Sequence, residues 1–200
     1  MNKKLLLATV IGVTLCASTA MAAPLSDYST GKVAVDVGFN WSSKFDDIST
    51  KPAMNAGITA GLGNNTAIQY KYDNWQSETF GNNAQLGYQK HQVNLLYQVM
   101  PGLSPYVGYR RENGNLNVGG ATMTSDHNII QVGVVGQLKL SGDRAKIWGD
   151  IAVGNKNRQS YELGAGYEFM RNTDLNVTYQ YNNLDGVKIK GFTTGVTYKF

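Results

Sequence analysis

The sequence predicts an all-β protein, a closed antiparallel up-and-down β-barrel that spans a membrane after loss of a cleaved signal peptide. Three observations predict this fold. The chain starts with a secretory signal, apolar and polar residues then alternate with a period of two, and short and longer turn segments alternate strictly between the apolar runs. The expected organisation is a signal peptide over residues 1–22 and one barrel domain over residues 23–200.

The first 22 residues have the composition of a cleavable signal. Lys3 and Lys4 give a positive start, an apolar run follows over residues 5–16, and Ala20 and Ala22 are small residues at the two cleavage positions. The apolar run is well short of the roughly 20 residues that a membrane-spanning helix needs. Cleavage after Ala22 would leave no cysteine, so neither a disulfide nor a thiolate metal site is expected.

Charge and hydropathy exclude two other classes of protein. Loss of Lys3 and Lys4 leaves 16 basic residues against 14 acidic ones, and the basic residues are scattered along the chain. A nucleic-acid binder would cluster them, so no nucleic-acid partner is expected. No later segment is apolar for long enough to form a helical membrane span.

The alternation predicts ten strands. In the first, Val33, Val35 and Val37 alternate with Ala34 and Asp36. In chain order, the segments cover residues 33–41, 58–62, 68–73, 93–99, 107–112, 130–140, 146–153, 161–169, 175–182 and 192–200. The second and third segments are the weakest, and eight strands would remain if both belonged to a loop.

The connections between these segments give an independent indication. Short turns are expected at residues 63–65, 101–102, 141–143 and 170–173, and longer loops at residues 42–54, 76–84, 113–127, 155–159 and 183–187. Membrane barrels of the outer-membrane type have short periplasmic turns, longer extracellular loops and an even number of strands. The pattern predicts that both termini lie on the periplasmic side.

The polar and apolar faces favour a membrane barrel over a soluble one. Charged residues recur among glycines on the polar face, where opposite charges could pair across a narrow lumen: Asp36, Lys71, Asp73, Arg110, Glu112, Asp150, Glu162 and Glu168. On the other face aromatic residues gather near strand ends, as in the girdles of membrane barrels: Trp41, Tyr72, Tyr97, Tyr109, Tyr161, Phe169, Tyr181 and Tyr198.

The end of the chain resembles the last strand of Gram-negative outer-membrane proteins. It reads Thr194-Gly195-Val196-Thr197-Tyr198-Lys199-Phe200, and internal phrases such as Pro105-Tyr106-Val107-Gly108-Tyr109 are similar to strands of small OmpA- and OmpX-like barrels. The resemblance implies an outer-membrane location, and that Tyr198 and Phe200 are an assembly signal. It also implies periplasmic chaperones and the barrel assembly machinery as partners during biogenesis. No periplasmic domain of the OmpA type is expected after the barrel.

Two functions remain open from the sequence. The first is a small porin-like conduit for ions or small polar solutes, and the second is a non-conducting surface barrel, structural or adhesive through its extracellular loops. Eight strands leave an interior just filled by side chains, whereas sixteen to eighteen leave a channel, so ten lies near the small end. In a conduit, the mixed signs of the lumen charges predict weak ion selectivity.

An outer-membrane lipid-modifying enzyme is a third and disfavoured function, and no catalytic or metal site is expected. Ser125, Asp126 and His127 are close in sequence, but a catalytic triad is defined by geometry rather than by adjacency. His91 and His127 are far apart, and no cofactor is predicted. Outer-membrane lipids and lipopolysaccharide are expected partners, the latter through basic residues near the outer rim: Lys44, Lys51, Arg111, Lys156 and Arg158.

Overall fold

The computed structural model of the protein describes residues 24–81, 83–140 and 144–200. The strands are β1 (Val33–Phe45), β2 (Ile48–Lys51), β3 (Ala53–Gly63), β4 (Thr66–Ser77), β5 (Ala84–Tyr97), β6 (Leu103–Val118), β7 (Ala121–Lys139), β8 (Ala145–Gly154), β9 (Arg158–Met170), β10 (Thr173–Leu184) and β11 (Val187–Lys199). The predicted signal peptide and the turn at residues 141–143 lie outside the described residues.

The strands close into one antiparallel barrel. From β3 to β11 each strand pairs with the next one in the chain, and β1 pairs with β11 from Ala34↔Lys199 to Phe45↔Ile189, which completes the ring. The strands β2 and β3 occupy a single position in the wall, between β1 and β4. They are separated at Pro52, which has no backbone N–H to donate to a neighbouring strand.

The wall therefore has ten positions, as the sequence predicts, and the eight-strand alternative is wrong. The weak second and third segments form β3 and β4, which pair from Asn55↔Asp73 to Gly63↔Thr66. Small residues such as Gly57, Ala60 and Gly61 weaken the apolar pattern of β3 in the sequence. The backbone ladder holds the strand in place regardless of their size.

Apolar side chains cover the outside of the wall and polar ones fill the inside. Exposed residues include Trp41, Leu62, Leu95 and Leu163, whereas Asn55, Asp73 and Asn94 are fully buried. A soluble barrel would have the reverse arrangement, so this surface fits a surrounding lipid phase. Among the residues described, no helix is long and apolar enough to cross a membrane.

Two of the predicted longer loops, at residues 42–54 and 113–127, are mostly strand, so their predicted extent is wrong. The expected loop at residues 113–127 is a hairpin in which β6 and β7 pair as far as Val118↔Ala121. The first expected loop reduces to a turn at Asp46 and Asp47 between β1 and β2. These segments are rich in Asn, Ser, Thr and Gly, which mark loops by composition, yet the ladders started in the wall continue through them.

The segment before β1 folds into the periplasmic end of the barrel. Leu25 and Tyr28 are buried against inward-facing residues that include Ala67, Leu96 and Tyr106. The Gly63 amide donates to the Tyr28 carbonyl at 2.9 Å, which fixes the segment to the end of β3. Burial raises the pKa of the Tyr28 hydroxyl, so this ring stays neutral. Leu25 and Tyr28 together are called the periplasmic plug.

Candidate functional site

An ion cluster crosses the centre of the lumen. The Lys71 ammonium, on β4, lies 3.0 Å from Asp150 Oδ2 on β8 and 3.2 Å from Glu162 Oε2 on β9. The Tyr106 hydroxyl, on β6, donates to the other oxygen of Asp150 at 2.8 Å. Because β4 is not a neighbour of β8 or β9 in the wall, these contacts bridge the interior. Lys71, Asp150 and Glu162 are called the central ion cluster.

A second ion pair lies on the inner face of β4 and β5. Lys90 Nζ is 2.8 Å from Asp73 Oδ2, and both side chains are almost completely buried. The same ammonium is 5.6 Å from the centre of the Trp75 ring, whose face stabilises a cation. Trp75 packs on Tyr88 with ring centres 5.5 Å apart. The pair and the two rings fill this part of the lumen.

Two arginines share one carboxylate towards the outer end. Arg110 Nε lies 3.0 Å from Glu112 Oε1, and Arg158 Nε lies 3.1 Å from Glu112 Oε2. All three side chains are buried. Arg158 was expected at the outer rim as a lipopolysaccharide contact, and this is wrong, because its side chain turns inward to Glu112. These three residues are called the outer arginine cluster.

A third group of charges lies towards the periplasmic end. Asp174 contacts Lys146 on one side and Lys199 on the other, the latter at 3.0 Å. Lys199 also lies 2.9 Å from Glu168, which is about one third exposed. Glu168 therefore pairs close to the hairpin between β9 and β10, whereas the other seven predicted lumen charges have buried side chains.

Among the described residues, Asp36 is the predicted lumen charge that forms no ion pair. It is buried on β1, faces Gly57 across the ladder to β3, and accepts a hydrogen bond from Thr197. Gly57 makes room for the carboxyl group, since a Cβ there would lie 3.0 Å from Asp36 Oδ2.

Neutral polar side chains form a hydrogen-bonded row across the inner face of the wall from β3 to β7. Gln69 donates to Thr59, Asn94 donates to Gln69, and Gln131 donates to Asn94, at 3.2, 3.0 and 3.1 Å. The last bond passes over β6 at Gly108, where a Cβ would lie 2.1 Å from Asn94 Oδ1. Hydrogen bonds of this kind satisfy polar groups that would otherwise be costly to bury.

Aromatic rings occupy the space that inward-facing glycines leave. The Trp148 ring lies over Gly164, where a Cβ would be 2.2 Å from Trp148 Cε2. The Tyr106 ring lies over Gly133, where a Cβ would be 2.4 Å from Tyr106 Cζ. Sequence reasoning read these glycines as room for a pore or for paired charges. The register instead places a ring from a neighbouring strand over each, as at Trp148↔Gly164.

The outer mouth contains an apolar cleft of about 380 Å³. Three hairpins form its walls, with Phe45 and Ile48 from β1–β2, Leu116 and Met123 from β6–β7, and Leu184 and Val187 from β10–β11. At its base lie Tyr88, Glu112 and Arg158. Beneath it Phe45, Trp75, Tyr88 and Ile189 form a buried apolar cluster.

Ser125 and His127 also line this cleft. The Ser125 hydroxyl lies 3.2 Å from His127 Nε2, and Glu112 is opposite His127 in the β6–β7 ladder. Both Glu112 oxygens are already paired with arginines, so this carboxylate is not free to orient the imidazole. Among the described residues, no group of three or more His, Cys, Asp or Glu side chains is arranged to hold a metal ion.

Sequence reasoning missed several members of these networks. Lys90, Lys146, Asp174 and Lys199 have the inward parity of their strands but were not selected, and Arg158 was placed outside. Parity along β5 from Gln92 and Asn94 would have found Lys90. No sequence signal indicates the plug, because Leu25 and Tyr28 precede the first alternating segment.

Comparison with known proteins agrees with this architecture. The family model described as "Outer membrane protein beta-barrel domain" matches residues 12–200. The chain belongs to this family. It is accordingly a protein of the outer membrane. None of the curated proteins matches it by sequence.

Several solved barrels of this kind are distantly similar to the chain. Ail, the attachment invasion locus protein of Yersinia pestis, is 12% identical with a TM-score of 0.45, over 86% of this chain and 99% of that one. Neisserial surface protein A is 17% identical with a TM-score of 0.42, over 84% and 96%. The NanC porin is 9% identical with a TM-score of 0.43, over 84% and 99%. Likeness at this distance concerns the fold alone.

Proposed function

We propose that this outer-membrane barrel is a non-enzymatic, non-conducting surface protein that acts through its outer mouth and outer hairpins. The observation that carries the proposal is the filling of the lumen at three levels. The periplasmic plug, the central ion cluster and the apolar cluster under the cleft lie one above the other along the barrel.

The side chains that fill the lumen favour a closed barrel rather than a narrow conduit. A barrel of ten strands encloses a wider interior than a barrel of eight, whose interior is just filled by side chains. Here the added space holds large inward side chains, among them Trp75, Arg110 and Lys90, each at most 2% exposed. The charges pair across the lumen, as expected where unpaired buried charges are costly.

The outer hairpins support action at the cell surface. The β7–β8 ladder begins at Gln131↔Gly154, so residues 121–130 have a strand neighbour only on the β6 side among the described residues. The β6–β7 hairpin thus stands beyond the end of β8 and is exposed along β7 up to Asp126. Lipopolysaccharide and outer-membrane lipids remain proposed partners of this rim, through Lys44, Lys51, Arg111 and Lys156.

Conductance in a planar bilayer tests the proposal against the porin-like alternative. The refolded mature protein is expected to insert without current, with insertion verified by the mobility shift of the folded band on boiling in SDS. A Tyr28→Ala, Tyr106→Ala, Trp75→Ala variant removes one ring from each of the three filled levels and is expected to give current steps. Leu138→Ala, on the exposed outer face, is the matched control and should stay silent. Discrete steps from the unaltered protein would contradict the proposal and favour the conduit.

A further inference from the structure

The outer cleft and the outer arginine cluster beneath it have complementary chemistry. The walls are apolar side chains from three hairpins, including Ile48, Leu116 and Met123. The volume of about 380 Å³ falls in the range of small-molecule sites, which are mostly apolar with a few polar groups. The lining is mostly apolar, and its polar side chains include Asp46, Ser125 and His127 on the hairpins as well as Glu112 and Arg158 at the base.

The base carries an excess of positive charge. Arg110 and Arg158 both contact Glu112, at 3.0 and 3.1 Å, so two guanidinium groups share one carboxylate. Both arginines are at least 95% buried, and their Nη1 atoms have no hydrogen-bond partner. Arg158 itself lines the cleft. A buried guanidinium with a free N–H favours an anion that can accept its hydrogen bond.

We propose that the cleft binds a small carboxylate amphiphile. Its carboxylate would accept from Arg158 at the base, and its apolar chain would lie along the hairpin residues, towards Leu116 and Met123. At the base, the unpartnered Nη1 of Arg158 favours an anion over a cation of the same length, and the largely apolar walls favour an alkyl chain over a sugar or an ion. This inference goes beyond the proposed function and holds whether or not the barrel conducts.

Methionine methyl NMR in zwitterionic lipid nanodiscs tests the site. Met123 lines the cleft, whereas Met54, Met100 and Met170 are exposed elsewhere on the barrel and report partition into the bilayer. Octanoate is expected to shift the Met123 methyl saturably and leave the other three unchanged. Octan-1-ol should bind about tenfold more weakly or worse, the loss of one charge-assisted hydrogen bond, and octyltrimethylammonium more weakly still.

Two variants distinguish the contribution of the ligand's carboxylate from that of its alkyl chain. In Arg158→Gln, Glu112 keeps Arg110 as its partner and the cluster becomes neutral. The affinity for octanoate should therefore fall to the affinity for octan-1-ol. In Leu116→Ser, the affinities for octanoate and for octan-1-ol should fall by the same factor. Folding of each variant is checked by its heat-dependent mobility in SDS.

Three outcomes would overturn the inference. The first is a parallel shift of all four methyls, which would indicate partition into the bilayer only. The second is equal affinity for octanoate and octan-1-ol. The third is an unchanged affinity for octanoate in Arg158→Gln. The readout is binding rather than current. A failure here is therefore distinguishable from a failure of the non-conducting barrel.

Discussion

At the residue scale, inward glycines determine how the lumen is filled. Gly164 and Gly133 leave room for the rings of Trp148 and Tyr106, and Gly108 leaves room for the amide of Asn94. Each glycine faces a large side chain on a neighbouring strand, so the wall and the lumen side chains fit as pairs. A side chain at any of these glycines has to displace a ring or an amide, and protein interiors are too closely packed to absorb that without cost.

Gly164→Ala is expected to lower the free energy of unfolding by about 1–3 kcal/mol, because the new Cβ overlaps the Trp148 ring. The measurement is urea unfolding in lipid vesicles. Gly149→Ala is the matched control, since its Cβ would meet only the Glu162 carbonyl oxygen at an ordinary 3.6 Å. In a Trp148→Leu background the cost of Gly164→Ala should shrink. Equal costs for both alanine variants would show that the ring does not fill this space.

At the element scale, two features depart from a plain series of strands and loops. The outer hairpins continue the ladders well beyond the predicted strand ends, as β6 and β7 do up to Val118↔Ala121. The segment before β1 turns back into the barrel and holds the periplasmic plug in place. Its backbone bonds to β3 at two points, from Gly61 to Lys32 and from Gly63 to Tyr28.

Tyr28→Ala is expected to release the plug, because it removes a buried aromatic ring from the apolar cluster and leaves Leu25 as the plug's remaining apolar side chain. The Gly63 amide, which donates to the Tyr28 carbonyl, should then exchange with deuterium about tenfold faster or more. The Val99 amide, which donates to Leu103 in another periplasmic turn, should keep its exchange rate. Unchanged protection of Gly63 in the variant would mean that the backbone contacts hold the segment without the ring.

At the scale of the whole molecule, closure of the ring and the two chemically distinct faces account for the location in the membrane. Pairing of β1 with β11 leaves the wall without an edge, as a lipid environment requires. The start of β1 and the end of β11 lie at the end of the barrel that carries the shorter connections, and the long hairpins lie at the other end. In an outer-membrane barrel this places the cleft on the cell surface.

Single-cysteine labelling tests this orientation, since Cys16 is the only cysteine of the chain and lies in the predicted signal. On intact cells, a membrane-impermeant maleimide is expected to label Gly120→Cys at the tip of the β6–β7 hairpin. It should label Arg171→Cys, in the turn between β9 and β10, only after the outer membrane is permeabilised. Labelling of Arg171→Cys on intact cells would reverse the orientation and place the cleft in the periplasm.

The sequence alone determined the all-β class, the ten strands and the face that most strand residues occupy, because apolar and polar residues alternate locally with a period of two. It also selected eight charges that the structure pairs, buries or places at the end of the lumen. It could not determine which charges meet. Lys71 reaches Asp150, 79 residues away, only because the closed ring brings β4 opposite β8.

Only the tertiary structure decided how far the strands extend, that the segment before β1 enters the barrel, and that Arg158 turns inward. The strand ends depend on whether a ladder begun in the wall can continue between neighbours, and composition does not record that. The position of Arg158 depends on Glu112, which lies on another strand and attracts it across the lumen. The cleft likewise exists only because three hairpins far apart in the chain meet above one pair of arginines.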